Sequence, residues 1–367
     1  MSEAHAIWLA RGMAAPVEQD LSPVSPVEQG LRRVPRAEQV AQSFSPVSLV
    51  EQGFSPVLPN LDRAILETIV YASLFDYPLT AGQVAAALVG ARATDREVLR
   101  AFRASAWLRG RVDYREGYFF LPGREGLIER RRLREAASRL LLERHRRVLR
   151  LIGLVPCTRL VALSGSVAHL NADPDGDIDL FIVTRGRRAW FVTLAIVALT
   201  RLAGCRRTFC ANYVITDEAL AVDQPDLFSA NQIAYLRPIA DDGTFARFVE
   251  ANPFVRRFYP GFTPSAPLAG FAPGRLGRAL KRAVEAMLWP GPGRALEEAS
   301  RWIYGSHLRR KAAGWRSPEQ VRLEPDRLKL HGHSHRRTVL DRFEAAVAES
   351  ASVPQVGQGF SPAHPRA

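Results

Sequence analysis

Apolar positions begin to recur at helical spacing near Leu61, where Leu61, Ile65, Leu66, Ile69 and Val70 share one face. Two further helices have clear starts. Thr80 is followed three residues on by Gln83, and Thr94 by Glu97. In such a capping box the threonine oxygen and the longer side chain satisfy backbone donors that a helix N-terminus leaves open. Val84, Ala87 and Leu88 give the first of these helices an apolar face; Val98, Leu99 and Phe102 do so for the second. Arg111 to Tyr114 and Tyr118 to Leu121 flank Arg115, Glu116 and Gly117, which predicts a short β-hairpin. Three helices and a hairpin predict a winged helix-turn-helix over residues 61–123. Residues 124–150 then read as one connecting basic helix with Leu133, Ala137, Leu140, Leu141 and Val148 facing inward.

The pattern changes in the next segment. A short apolar strand, Leu160 to Leu163, stops at Ser164, Gly165 and Ser166; Val167 to Leu170 reads as a short helix, Asn171 to Gly176 as a polar turn, and Asp177 to Val183 as a second strand. Trp190 to Leu199 is the longest apolar run, bounded by Arg188 and Arg201. A bilayer needs about 20 such residues, so the run predicts a buried helix and no membrane span. A further strand is expected from Thr208 to Ile215, completing a core over residues 151–240. Residues 241–350 read as a helical C-terminal domain, with Leu280, Val284, Met287 and Leu288, then Val339, Leu340, Phe343 and Val347, at helical spacing. Residues 1–60 and 351–367 carry irregular, proline-containing copies of one phrase, as at Val50 to Val57 and Val356 to Ala363. Such weakly apolar segments cannot offset their ordering entropy and are expected to be disordered tails.

Composition changes this picture little. The net charge is +13, but only three of the 50 basic residues are lysine: Lys281, Lys311 and Lys329. So uniform an arginine bias is a property of the whole chain, and nucleic-acid binding needs clustering as well. Arg96, Arg100 and Arg103 meet that test, lying near one face of the third helix, from where they would reach DNA phosphates; a protein-docking or structural winged helix is the other reading. The three cysteines form no Cys-x-x-Cys pair and no signal segment is visible, which together predict a soluble cytoplasmic protein.

The chemistry concentrates between residues 160 and 183. Strand alternation puts Asp177 and Asp179 on one face, with Ile178, Leu180 and Ile182 on the other. Paired carboxylates repel, and hard oxygen ligands of this kind favour Mg²⁺ or Mn²⁺. Gly165 lets backbone approach a phosphate closely. A glycine-serine turn beside a divalent-metal pair is equipment for phosphoryl or nucleotidyl transfer.

Gly165 and Ser166, followed after ten residues by Asp177-Ile178-Asp179, resemble the signature of the DNA polymerase beta-like nucleotidyltransferase superfamily. More loosely, residues 61–350 resemble bacterial proteins that place a winged helix before such a core. The resemblance implies an α+β fold, a mixed sheet with helices. It implies that Gly165 and Ser166 hold the triphosphate of an NTP while Asp177 and Asp179 bind the metal. An NMP would then pass to an acceptor hydroxyl on a small molecule, a protein or an RNA. The superfamily usually adds a third carboxylate on a later strand. The corresponding strand here offers Asn212, and no acid before Asp217 and Glu218. Either Asp217 supplies the third acid, or solvent activates the acceptor, or the site binds nucleotide without turnover, as in a nucleotide-sensing, DNA-binding regulator. Other candidates are a Zn²⁺ or Ni²⁺ site at His331, His333 and His335, a substrate contact from His169, and an acceptor cleft lined by Arg256, Arg257 and Tyr259.

Overall fold

Both threonine caps form in the computed structural model, which describes residues 60–288, 291–315, 321–330 and 335–352. Thr80 Oγ1 accepts from Gln83 N at 3.3 Å while Gln83 Oε1 accepts from Thr80 N at 2.9 Å. Thr94 and Glu97 repeat the exchange at 3.3 and 2.7 Å. These caps start helices α2 (Ala81–Ala86) and α3 (Asp95–Ala104), which follow α1 (Asn60–Ser73) and strand β1 (Leu79–Thr80). After α4 (Ala106–Arg109), the hairpin of β2 (Asp113–Arg115) and β3 (Tyr118–Phe120) turns at Glu116 and Gly117, both at positive φ, as a two-residue hairpin turn requires. The hairpin gains a third strand, in the antiparallel order β1-β3-β2. Ile65, Leu66, Ile69, Val84, Leu88, Val98 and Phe119 pack as its core with the helices. The expected tails lie outside the described residues, apart from Asn60 and residues 351–352, which belong to helices.

The connecting helix is broken at His145 into α5 (Leu127–Arg144) and α6 (Arg146–Ile152). Its inward face also differs from the sequence expectation. Ile128, Arg131, Ser138, Leu142, Leu149 and Ile152 are buried, whereas Leu133 and Leu140 are 62% and 71% exposed. Leu141 and Val148 do pack against the core, but Leu133 and Leu140 turn outward because polar Arg131 and Ser138 take inward positions that apolar periodicity does not reveal. Buried Arg131 donates to the Leu170 carbonyl at 2.9 Å and the Tyr77 hydroxyl at 3.1 Å, and Ser138 Oγ accepts from Ala172 N at 3.0 Å. Several outward arginines pair with acids, Arg130 with Asp76, Arg132 with Glu116 and Arg139 with Glu135, as a solvated helix face does.

A six-stranded mixed sheet follows. Its strands are β4 (Thr158–Ser164), β5 (Ile178–Thr184), β6 (Phe209–Thr216), β7 (Arg237–Asp241), β8 (Arg322–Leu323) and β9 (Arg327–Lys329), in the order β7-β4-β5-β6-β9-β8. The β5–β6 pair is parallel and the other pairs are antiparallel. Helix α7 (Gly165–Ala168) follows β4, and α8 (Ala189–Leu202), the apolar run of the sequence, makes the β5–β6 crossover with Trp190, Val192 and Ile196 buried. Side-chain alternation serves two cores. Val161, Leu163, Leu180 and Ile182 face one cluster with α8; Leu160, Ala162, Phe181 and Val183 face the other, with α9 (Leu227–Ala234), α10 (Thr244–Glu250) and α11 (Phe254–Phe258). The molecule is therefore α+β.

The segment after residue 241 is mostly helical, with two short strands that the helical expectation did not include. It contains α12 (Arg275–Leu288), α13 (Pro292–Lys311) and α14 (Arg336–Ser352), but it also supplies β8 and β9, and β9 extends the sheet beside β6. The Glu297 carboxylate of α13 accepts from Trp190 N at 3.0 Å and Phe191 N at 2.8 Å, satisfying open donors in the first turn of α8. Helix α14 returns to α1, where Phe343 meets the Tyr71 ring with centroids 5.5 Å apart. No described helix is long and apolar enough to cross a membrane.

Candidate active site

Strand β4 ends at Ser164, which stands opposite Asp179 in the β4–β5 register. The chain then turns through Gly165 at φ +61°. A Cβ placed there would overlap Asp179 Oδ2 and lie 3.2 Å from its Cγ and 3.3 Å from its Cβ. Only glycine both adopts this backbone conformation and leaves that space. Ser166 is exposed at the start of α7, and its carbonyl accepts from Asn171 N at 2.8 Å, closing the turn.

Asp177 lies one residue before β5 and is exposed; Asp179 is the second residue of the strand and half-buried. Burial, reinforced by the neighbouring Asp177 charge, raises the Asp179 carboxyl to about 7, against a smaller opposing effect of a Cys210 hydrogen bond. Neither carboxylate has an ion-pair partner among the described residues, and a dication would relieve the repulsion between them. The donor set is limited to that pair: no group of three or more His, Cys, Asp or Glu side chains arranged for a metal occurs among the described residues.

The expected third position divides between two residues. In the parallel β5–β6 register Asp179 faces Cys210, whose thiol burial and the Asp179 and Asp177 charges push up to about 12, so it stays protonated. Asn212 is the extra residue where that register shifts between Leu180 and Phe181. Its carbonyl accepts from Leu330 N at 2.9 Å. Asn212 and Asp179 line one cavity of about 370 Å³, together with Gly165 and Ser166. Asp217 does not contribute. It lies past the far end of β6, about 20 Å along the strand from Cys210, where its Oδ1 accepts from Gly186 N at 2.7 Å.

His169 also lines the cavity, with its ring stacked on Tyr235 at 3.9 Å and edge-on to Tyr77 at 5.8 Å. Burial, then Arg237 and Arg131, holds it down to about 3, so it is neutral at every physiological pH. Of the three residues expected in an acceptor cleft, Tyr259 reaches the cavity, where Asn231 Nδ2 donates to its hydroxyl at 3.1 Å. Arg256 and Arg257 are exposed and outside the lining. His331 and His333 lie outside the described residues; His335 is exposed at the cavity. Arg96, Arg100 and Arg103 are all exposed on α3.

Sequence reasoning missed Lys329 and Arg322, which bring positive charge to the same cavity from β9 and β8. Lys329 pairs with Tyr213 across the β6–β9 register. Burial, then the nearby Arg336 and Arg322, pushes its ammonium below the usual lysine value. The one signal available was that Lys329 is one of only three lysines in an arginine-rich chain. Comparison of the chain with family models, curated proteins and solved structures finds no match in any of the three.

Proposed function

We propose that this protein is a Mg²⁺- or Mn²⁺-dependent nucleotidyltransferase of the polymerase-beta-like kind, acting in the cytoplasm. It moves an NMP from an NTP to an acceptor hydroxyl, on a small molecule, a protein or an RNA. The observation that carries this reading is the seating of Gly165 directly on the Asp179 carboxylate. It joins a phosphate-approaching turn to a half-buried acid in the strand–turn–helix–strand order that the resemblance calls for.

The residues divide the work. Gly165 and Ser166 offer backbone to the triphosphate at short range. Lys329 and Arg322 place positive charge where its phosphates would enter the cavity. Asp177 and Asp179 are the metal ligands; when bound, the ion supplies charge neutralisation and acidifies the attacking hydroxyl. Asp179 is the ligand whose protonation competes with the ion, because its burial favours the proton.

A second reading, a nucleotide-sensing DNA-binding regulator, is favoured by Cys210 and Asn212. Neither side chain is charged where a third carboxylate would stand, so neither accepts a proton at neutral pH. In that reading α1, α2, α3 and the β1-β3-β2 sheet form the winged helix, with Arg96, Arg100 and Arg103 on DNA phosphates. Calorimetric titration with non-hydrolysable ATP and GTP analogues, with and without Mg²⁺, tests the nucleotide site. Metal-dependent binding abolished by Asp177→Ala with Asp179→Ala supports it; no binding of either analogue by the wild-type protein sinks both readings of the core. With binding established, release of pyrophosphate in an acceptor screen separates transferase from sensor.

A further inference from the structure

Helix α12 is seated with its polar side inward. Lys281 Nζ donates to the Thr158 carbonyl at 2.7 Å and the Gly153 carbonyl at 3.3 Å, and the Glu285 carboxylate accepts from Cys157 N at 2.7 Å. Gly277 lies so close to Leu154 that a Cβ there would stand 2.9 Å from its Cδ1. Gly277, Lys281 and Glu285 recur every four residues and define one side of the helix, which is anchored at the start of β4. Turning α12 to bury apolar residues instead would strip buried Glu285 and half-buried Lys281 of these partners.

The opposite face is apolar and open. Leu276, Ala279, Leu280, Ala283, Ala286 and Met287 share it by helical spacing, and all six are exposed, Leu276 by 85% and Met287 by 78%. Helix α13 adds exposed Leu296, Trp302 and Ile303. Six of the eleven large apolar side chains exposed among the described residues thus fall on two consecutive helices, a concentration that marks an interaction surface where scattered ones would not. Charge identifies the partner. Arg275, Arg278 and Arg282 are exposed along one edge of the α12 face with no ion-pair partner among the described residues, and the only acid of the helix, Glu285, is buried. A second copy would bring more arginines to this helix and no exposed acid from it.

We propose that α12 is an interfacial helix, laying Leu276, Leu280 and Met287 into the surface of an anionic phospholipid bilayer while Arg275, Arg278 and Arg282 meet the lipid phosphates. A bilayer requires of such a face only that it carry no polar group, and its six side chains meet that condition. The aromatic and hydrogen-bonding anchors that fix a protein partner in register are missing from it. The helix lies on the membrane rather than through it, since no described helix is long and apolar enough to cross one. The nucleotide site takes no part, so this inference and the function proposed above fail independently.

The test is titration of the full-length protein at physiological salt with vesicles of equimolar phosphatidylglycerol and phosphatidylcholine, and with vesicles of phosphatidylcholine alone, binding being read by co-flotation. The wild-type protein binds the anionic vesicles at least about tenfold more tightly than the neutral ones. General attraction of a chain of net charge +13 would do the same, so the variants decide. Leu276→Gln, Leu280→Gln and Met287→Gln together keep every charge and lower the affinity for anionic vesicles at least about tenfold. Their thermal midpoint stays at the wild-type value, because the three side chains are exposed and glutamine is a good helix former. Should the triple variant not fold, Met287→Gln alone carries the test with a loss of about threefold. Arg275→Gln with Arg282→Gln weakens binding by about tenfold. Failure of the wild-type protein to bind anionic vesicles, equal binding of neutral ones, or full affinity in the glutamine variants would overturn the inference. So would a wild-type dimer in light scattering that the triple variant converts to a monomer, which would assign the face to a second copy.

Discussion

Replacing Gly165 by alanine tests whether the turn and the acid form one unit. Two penalties are expected. An L-residue at φ +61° costs about 1–2 kcal/mol. Overpacking against Asp179 adds about 1–3 kcal/mol, because the new methyl overlaps Oδ2 and crowds both Cγ and Cβ of a short side chain. The first penalty is local to residue 165, whereas most of the second disappears when the carboxylate is removed, since only the Cβ contact at 3.3 Å remains. In a double-mutant cycle, Gly165→Ala with Asp179→Ala is therefore more stable than the sum of the singles by about 1–3 kcal/mol. Urea unfolding followed by circular dichroism, in EDTA at pH 7.5, measures all four corners. Additivity within about 0.5 kcal/mol would refute the reasoning, since independent sites behave that way.

The remaining predictions concern charge and capping. In EDTA the contribution of Asp179 to stability is greatest toward pH 4 and is lost as pH rises to about 7, because the folded state raises its carboxyl from 3.8 and so binds the extra proton across that window. The loss is at most about 4 kcal/mol, reduced by water at the cavity; Asp179→Asn should flatten that part of the thermal-midpoint profile, and an unchanged profile counts against the assignment. Glu297→Ala strips the carboxylate that accepts from Trp190 N and Phe191 N and should destabilise by about 1–3 kcal/mol in denaturant titration, with Glu297→Gln intermediate. If the winged helix binds DNA, a gel shift at low salt should weaken steeply with added salt and vanish when Arg96, Arg100 and Arg103 become glutamate; absence of any shift at low salt removes that function.

The parts of this molecule legible in the sequence are those set by neighbours along the chain. The two threonine caps, the Glu116–Gly117 turn and the strand–turn–helix–strand run through Asp179 all depend on interactions within a few residues, and each forms within one or two residues of its expected place. What was misread depends on distant partners. Arg131 is buried because Tyr77 and Leu170 supply acceptors from other elements, and no local pattern announces that. Residues 322–329 are too short and too charged to read as strands, and gain that role only by pairing with the edge of β6. Asp217 was a reasonable third acid by count along the chain; the parallel β5–β6 register puts it at the wrong end of the strand.

The same register bears on why Asp179 is there at all. Strand β5 is buried on both faces, and Asp179 is its only acid. A carboxylate in such a strand without an ion-pair partner is held against its own desolvation, with Asp177 adding repulsion. Packing alone would be served better by asparagine, which could still accept the Cys210 thiol hydrogen bond without a charge to bury. Two acids that serve the fold have visible partners: Glu297 has two backbone amides and Asp217 has Gly186 N. Asp179 has a neutral thiol, a glycine that makes room for it, and a cavity with Lys329 and Arg322 on its wall. That combination is costly for stability and suited to a ligand, which is why the functional reading is anchored on this residue rather than on the arginine-rich surface.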